Sequence, residues 1–198
     1  MDLLPLVVSS GWASGVNAYL VVLVFGIADR AWSLAEIPDV LARTDVLVVA
    51  GGLYAFEFVA DKIPYIDSTW DAISTAIRPT VAAVIAVLLA GDASTLEQAV
   101  LAVVGGGTAL ASHGVKAGLR LAINTSPEPV TNSATSLAED VSVAGVVLLA
   151  LAHPWIALAV CLLLLALGVT TVFLLVRRIR RGWRRWRTRE PRAGVGAP

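Results

Sequence analysis

Charged residues interrupt an otherwise strongly apolar sequence between residues 57 and 79. This stretch, EFVADKIPYIDSTWDAISTAIRP, separates two apolar segments and carries six charged side chains: Glu57, Asp61, Lys62, Asp67, Asp71 and Arg78. Acids and bases at this density could bind an ion, transfer a proton or hold an anionic group. In a water-soluble protein the same stretch would be an ordinary solvated turn, so its meaning depends on the segments that surround it.

Two later polar stretches have the spacing needed to face the first. ASHGVKAGLR places His113, Lys116 and Arg120 on one helix face, at i, i+3 and i+7. SLAED places Glu139 and Asp140 about two turns inside another apolar run. An ionised side chain at such depth costs about 2.5–3.5 kcal/mol on insertion scales, so these groups should face one another or a water-filled cavity.

The same residues leave several chemistries open. A metal site made by His113, Asp61, Glu139 and Asp140 is one alternative, but no two of them have a close ligand spacing such as HExxH. The sequence shows no nucleophile elbow and no phosphate-binding loop, because GGGT lacks the lysine of that motif. An enzyme is therefore less favoured, and no cofactor is predicted.

The composition indicates a membrane protein. The chain has 198 residues, of which 57% are hydrophobic and 15% charged, with a mean hydropathy of +0.78. Soluble domains carry about 25% charged residues. At roughly 20 residues per span, the length predicts an all-α, polytopic transmembrane helical bundle of about six spans. We place this single domain at residues 1–176.

The six predicted spans are interrupted by glycines. The first two cover residues 3–28 and 46–60, the third ends at about residue 90, and the others cover about 96–123, 133–152 and 155–176. Pro79 fits either a kink or the first turn of the third. Glycines can mark close helix packing or a break that exposes backbone to a cavity. Packing is the preferred interpretation for a set of five: Gly11, Gly15, Gly105, Gly106 and Gly107.

Two short segments resemble each other. ASGVNA at residues 13–18 matches ASHGVKA at residues 111–117 with one insertion. Because three spans would separate the copies, the match predicts an inverted repeat of three plus three helices, an arrangement known in transporters. Chance similarity between apolar helices is the alternative.

The basic residues predict the orientation. Cytoplasmic loops carry an excess of Lys and Arg. Six spans put both termini on one side, and placing them in the cytoplasm leaves only Arg30 and Arg43 outside. Nine arginines, the first at Arg177 and the last at Arg192, form a basic cytoplasmic tail at residues 177–198 that is expected to be partly disordered. We expect this tail to bind anionic lipids and not nucleic acid.

The motifs together resemble a family of bacterial multi-pass membrane proteins of unknown function. The resemblance rests on GWASGVNAY, FEFVADKIPYIDSTWDAISTAIRP, ASHGVKAGLR and NTSPEPVTNSATSLAED, and it covers about residues 5–170. It implies an integral inner-membrane protein and adds Asn124 to the motif positions. The basic tail lies outside the pattern.

We therefore expect a small transporter or channel in the inner membrane, with a cytoplasm-facing polar cavity for an ion, a proton or an anionic solute. Homo-oligomers fit this expectation as well. One alternative is a membrane-embedded enzyme or flippase that acts on a lipid phosphate. Another is a structural membrane protein whose charges form only ion pairs.

Overall fold

The fold is an all-helical bundle. The computed structural model describes residues 3–124 and 129–187, which form α1 (Leu3–Trp32), α2 (Thr44–Ala60), α3 (Pro64–Ala90), α4 (Thr95–Asn124), α5 (Pro129–Ala152) and α6 (Pro154–Arg187). A short 3₁₀ helix at Asp39–Ala42 precedes α2. Within these residues there is no β-strand. The predicted helical class and the six helices are therefore confirmed.

Five of the helices are long and apolar enough to cross a membrane. They are α1, α3, α4, α5 and α6, by length and composition. The second helix, α2, has 17 residues and is about 25 Å long, which is less than the roughly 30 Å of a bilayer hydrocarbon core. The second span predicted from the sequence, residues 46–60, is short as well.

The first helix is broken at Asn17. Its backbone has φ −151° and ψ 97°, which is extended rather than helical. The side-chain Oδ1 of Asn17 accepts a hydrogen bond from the Leu20 N–H at 3.0 Å, so Asn17 caps the second half of the helix. We call the two halves α1a (residues 3–16) and α1b (residues 18–32).

Both halves of α1 run to the same end of the bundle. Leu3 and Leu6 of α1a line one cavity of about 510 Å³ together with Ala35, Glu36 and Gly91. An unbroken helix of 30 residues would be about 45 Å long and would hold Leu3 and Ala35 far apart. The chain therefore turns back at Asn17. We call the end that holds Leu3, Trp32 and Gly91 end A.

The remaining helices alternate in direction between end A and the opposite end. Lys116 on α4 contacts Glu57, and Arg120 contacts Asp61 four residues later, so α2 and α4 run parallel. α3 is antiparallel to α4, because Asp71 lies beside His113 and the later Ala86 beside the earlier Gly105. α6 is parallel to α4, as Gly168 meets Val115 and Gly118 meets Val172. The end that holds Lys62 and the end of α4 is end B.

The glycines bring α1a and α4 into direct contact. A Cβ on Gly11 would lie 2.6 Å from the carbonyl oxygen of Gly105, and one on Gly15 would overlap the Ala109 carbonyl and Ser112 Oγ. Gly105 and Gly106 pack in turn against α3. Gly107 does not pack against another helix as predicted, because a Cβ there would meet no atom within 4 Å. In α4 the helix continues through all three glycines.

The two segments with matching sequence lie side by side. Val16 of α1a is hydrogen-bonded to Lys116 of α4, and Gly15 packs on Ser112, so the segments run parallel. An inverted repeat requires its copies to lie in opposite orientations. The geometry therefore gives the three-plus-three repeat no support, and shared close packing accounts for the similar small residues.

Gly15→Ala should destabilise the bundle, because the added methyl group has no space between α1a and α4. Overpacking of this kind costs about 1–3 kcal/mol. We expect a lower midpoint of thermal unfolding for the purified protein in detergent. The matched control is Gly107→Ala, which meets open space and should be neutral or stabilising by up to about 1 kcal/mol. Equal midpoints for the two variants would contradict the close contact.

Candidate functional site

Arg78 joins three helices at the centre of the bundle. Its Nη2 donates to Glu57 Oε1 on α2. Its Nη1 lies 3.2 Å from Asp71 Oδ1 and donates to the Gly15 carbonyl oxygen at 3.3 Å. The side chain is 1% exposed. Arg78 therefore binds two carboxylates and one of the free carbonyls at the end of α1a.

His113 is held in its neutral form by this arginine. The distance from Arg78 Nη1 to His113 Nδ1 is 2.7 Å. A guanidinium group can only donate, so Nδ1 must accept. The proton then lies on Nε2, which is 3.1 Å from the Asp71 carbonyl oxygen and 3.0 Å from Thr75 Oγ1. A second proton on His113 would point at the guanidinium.

Lys116 contacts three acids, more than Arg78 or Arg120 does. Its Nζ lies 3.3 Å from Asp61 Oδ2, 3.4 Å from Glu139 Oε2 and 3.5 Å from Glu57 Oε1. It also donates to the Val16 carbonyl oxygen at 3.1 Å. A cation at the C-terminal end of a helix interacts favourably with the helix dipole. Lys116 thus stabilises the break in α1 and three acids at once.

Arg120 connects α4 to the turn after α2 and to α5. Its Nη2 lies 2.7 Å from Glu139 Oε2 and 3.2 Å from Asp61 Oδ2, and its Nη1 donates to the Asp61 carbonyl oxygen at 3.1 Å. Its Nε donates to the second oxygen of Glu139 at 3.2 Å. This two-point contact fixes the Glu139 carboxylate in orientation as well as in charge.

Asp140 has a different kind of surroundings. Its Oδ1 accepts from Asn17 Nδ2 at 3.1 Å, and its Oδ2 is 3.1 Å from the Tyr54 hydroxyl. The residue is 7% exposed. Among the described residues no cationic group reaches its carboxylate within 4 Å, whereas the four other acids of the site each contact one or more cations: Glu57, Asp61, Asp71 and Glu139.

The other predicted residues lie at the edge of this site. Asp67 is buried in the first turn of α3. Lys62, in the turn before α3, donates to the Phe58 carbonyl oxygen at 2.7 Å and lies over the Phe58 ring, and partial burial lowers its pKa. Asn124 ends α4, but its side chain lies outside the described part of the chain.

We give the name charged network to eight buried or partly buried residues around the break in α1, and in it acids outnumber bases. It contains five carboxylates, from Glu57, Asp61, Asp71, Glu139 and Asp140, and three permanent cations, from Arg78, Lys116 and Arg120. Four buried carboxylate oxygens of the network also have no hydrogen-bond donor, namely Glu57 Oε2, Asp61 Oδ1 and both oxygens of Asp71, of which Oδ1 is only in ion-pair contact with Arg78. The site therefore has an excess of both negative charge and hydrogen-bond acceptors.

The charged network is packed, and two cavities reach it. One of about 260 Å³ lies among α1, α4, α5 and α6, has mostly apolar walls, and reaches Lys116 and Glu139. The other, of about 210 Å³, lies between α3 and α4 beside Asp71 and Arg120. Glu139 is the most exposed of the paired acids, at 17% of its side chain. No group of three or more metal-binding side chains occurs in the described residues.

The family profile described as a domain of unknown function (DUF4126) matches residues 4–173 of this chain. The chain belongs to this family. The match includes every charged residue of the site and ends before the basic segment of α6. No curated protein and no solved structure matches the chain. Function must therefore be argued from the geometry of the DUF4126 domain itself.

Sequence reasoning missed two residues of the site. Asn17 was visible as a polar residue in the first apolar segment, but the break was considered at the neighbouring glycines. Tyr54 carries no signal in the sequence, because a tyrosine in an apolar helix is ordinary at membrane interfaces. Only the three-dimensional contacts show that both residues hold Asp140.

Arg78→Met should strongly destabilise the protein. It leaves two buried carboxylates and the Gly15 carbonyl without their donor, and removing one partner of a buried ion pair costs about 3–5 kcal/mol. Unfolding in detergent, followed by heat or denaturant, measures the loss. Arg43→Met is the matched control, because the Arg43–Asp45 pair is 63% exposed on both sides and should contribute nothing measurable. Similar unfolding of both variants would contradict the role of Arg78.

Proposed function

We propose that this protein is a small secondary transporter that handles a cation or a proton at the break in α1. The observation that carries the proposal is the discontinuous helix in the middle of the bundle, with buried charges around its two free ends. In many transporters substrate and ions bind near the bilayer midplane, where half-helices end and their backbone groups are free.

The balance of charges favours a cation over an anion. Each of the three buried bases already contacts two or more carboxylates. An anionic solute or a lipid phosphate would have to displace these carboxylates. A proton or a cation would instead reduce the excess of negative charge. The anion-binding role expected for Lys62, Arg78, Lys116 and Arg120 is thus the weaker candidate.

The wider cavity supports the second candidate function, action on a lipid phosphate. Its apolar walls could take an acyl chain, and Lys116 lies at its polar side. A lipid headgroup would reach an ammonium that is already bound to three acids, which is why transport is preferred. A purely structural role favours balanced charges, and the excess of two carboxylates in the charged network supports transport instead.

For the orientation we propose a cytoplasmic end B in the bacterial plasma membrane. The exposed arginines Arg177, Arg178, Arg180 and Arg181 extend α6 beyond end B and would contact anionic lipids there. Arg30 and Arg43 near end A would face the outside. Because α1 turns back, Leu3 at the start of α1 lies at end A. On this proposal the start of α1 and the end of α6 lie on opposite sides of the membrane, which differs from the expectation that both termini are cytoplasmic.

Transport is tested in proteoliposomes under imposed proton, sodium and potassium gradients. Wild type should transport at least one of these cations. Glu139→Gln should lower the transport rate by about tenfold, which is equivalent to about 1.4 kcal/mol in the barrier. Lys116→Ala should lower flux at least as much. The matched control is Glu97→Gln, an exposed acid in the first turn of α4 that should match wild type. Absence of flux from folded wild type under every gradient would overturn the proposal.

Orientation is tested by labelling single cysteines from outside intact cells, on a Cys161→Ala background. Glu36→Cys at end A should react with a membrane-impermeant maleimide, whereas Tyr65→Cys near end B should react only after permeabilisation. Both positions are exposed on the protein. An N-terminal epitope tag should be accessible from outside. A tag that is protected in intact cells would contradict an N-terminus at end A.

A further inference from the structure

Asp140 differs from the other acids of the charged network in the hydrogen-bonding capacity of its partners. The acids Glu57, Asp61, Asp71 and Glu139 contact arginine or lysine groups, which only donate hydrogen bonds. A protonated carboxyl group placed against such donors would have no acceptor for its O–H. Each of these four acids has at least one permanently charged donor beside it.

The Tyr54 hydroxyl gives Asp140 a partner that suits both of its forms. A phenol can donate to a carboxylate, and after rotation it can accept from a carboxyl O–H. Asn17 Nδ2 donates to the other oxygen in either form. Asp140 can thus gain or lose a proton on Oδ2 without leaving a buried polar atom unpaired, which would cost about 1–3 kcal/mol.

The charge of the whole network requires a proton or cation to be held. Full ionisation of the five carboxylates against three permanent cations would leave two negative charges uncompensated in a buried region, and adding Asp67 and Lys62 at its edge does not change this difference. Buried charges without partners are costly, and such groups usually neutralise instead. His113 does not supply the missing charge, because Arg78 holds it neutral.

We propose that Asp140 binds and releases one proton at Oδ2, and that this proton is the coupling ion of the proposed transporter. On release, Asp140 passes its proton to the Tyr54 oxygen while Tyr54 gives its own proton to water, so one proton leaves and the tyrosine is unchanged. This step requires water at the hydroxyl of Tyr54, a residue that is only partly buried. The coupling role rests on the proposed function, but the proton site itself does not.

The proton on Asp140 acts directly on the break in α1. Asn17 caps α1b through Oδ1 and binds Asp140 through Nδ2. The second bond is stronger when Asp140 is ionised, because hydrogen bonds to charged acceptors are about twice as strong as neutral ones. Deprotonation therefore fixes the cap, and protonation loosens it. This connects the charge of the site to the joint between α1a and α1b.

Groups on the neighbouring elements set the balance between the two forms. The charged groups that act on Asp140 from these elements are Lys116 on α4, Lys62 in the turn after α2, and Asp61 at the end of α2. Glu139 is the adjacent acid on α5 itself, and α1 presents the neutral Asn17. In α6 there is no charged side chain before Arg177. Asp140 is therefore subject to positive and to negative charge from its neighbours.

Infrared spectroscopy of the full chain in lipid nanodiscs tests the proton site. Wild type should show the C=O stretching band of a protonated carboxylic acid, growing as the pH is lowered. Asp140→Asn should lose this band, and Tyr54→Phe should shift its frequency, because the hydrogen bond to the hydroxyl is gone. Glu97→Gln, at an exposed acid, should keep the wild-type band.

Two results would overturn the proton site. One is a full, unchanged band in Asp140→Asn, and the other is the absence of any protonated-acid band in wild type. If Asp140→Asn does not fold, a band at the wild-type frequency in Tyr54→Phe would likewise overturn the proton site. If the band changes with pH but the proteoliposomes show no flux, the proton site stands and the transport proposal is rejected. Flux without the band would reject the proton site and keep transport.

Discussion

The whole arrangement depends on how the carbonyl groups at the end of α1a are satisfied. A backbone carbonyl without a partner inside a membrane costs several kcal/mol, and a helix that stops in mid-bundle has several of them. Here Arg78 and Lys116 donate to Gly15 and Val16, and Ser112 donates to Trp12. The same two cations hold the acids of α2, α3 and α5. The break and the charged network are therefore stabilised by the same two donors.

The sequence was sufficient to predict the helices and to select the buried charges. Hydropathy marks each apolar segment, and helical spacing places His113, Lys116 and Arg120 on one face. The sequence could not predict the fold-back of α1, because its position is decided by donors on α3 and α4 that are far away along the chain. Gly11 and Gly15 suggested a break, but they serve the approach of α1a to α4, and the break lies at Asn17.

Two adjacent residues show why the pairing inside the site could not be predicted. Glu139 and Asp140 are consecutive on α5, so their side chains point about 100° apart. Glu139 faces the cations of α4, and Asp140 faces α1 and α2. Spacing along the chain shows which residues share a face, but not which helix that face meets. From the sequence the two acids were therefore equivalent, whereas in the structure Glu139 contacts cations and Asp140 contacts neutral polar groups.

A purely structural network would be expected to balance its charges. Buried ion pairs are weak contributors to stability, and well-packed apolar residues often replace them without loss. A bundle that needed only attachment between helices would gain nothing from an additional buried acid. Asp140 is such an acid: it contacts a tyrosine and an asparagine, and the asparagine is the residue at which α1 breaks. Stability alone gives no reason to place a titratable group there. A group that changes its charge at the joint of a broken helix does give one.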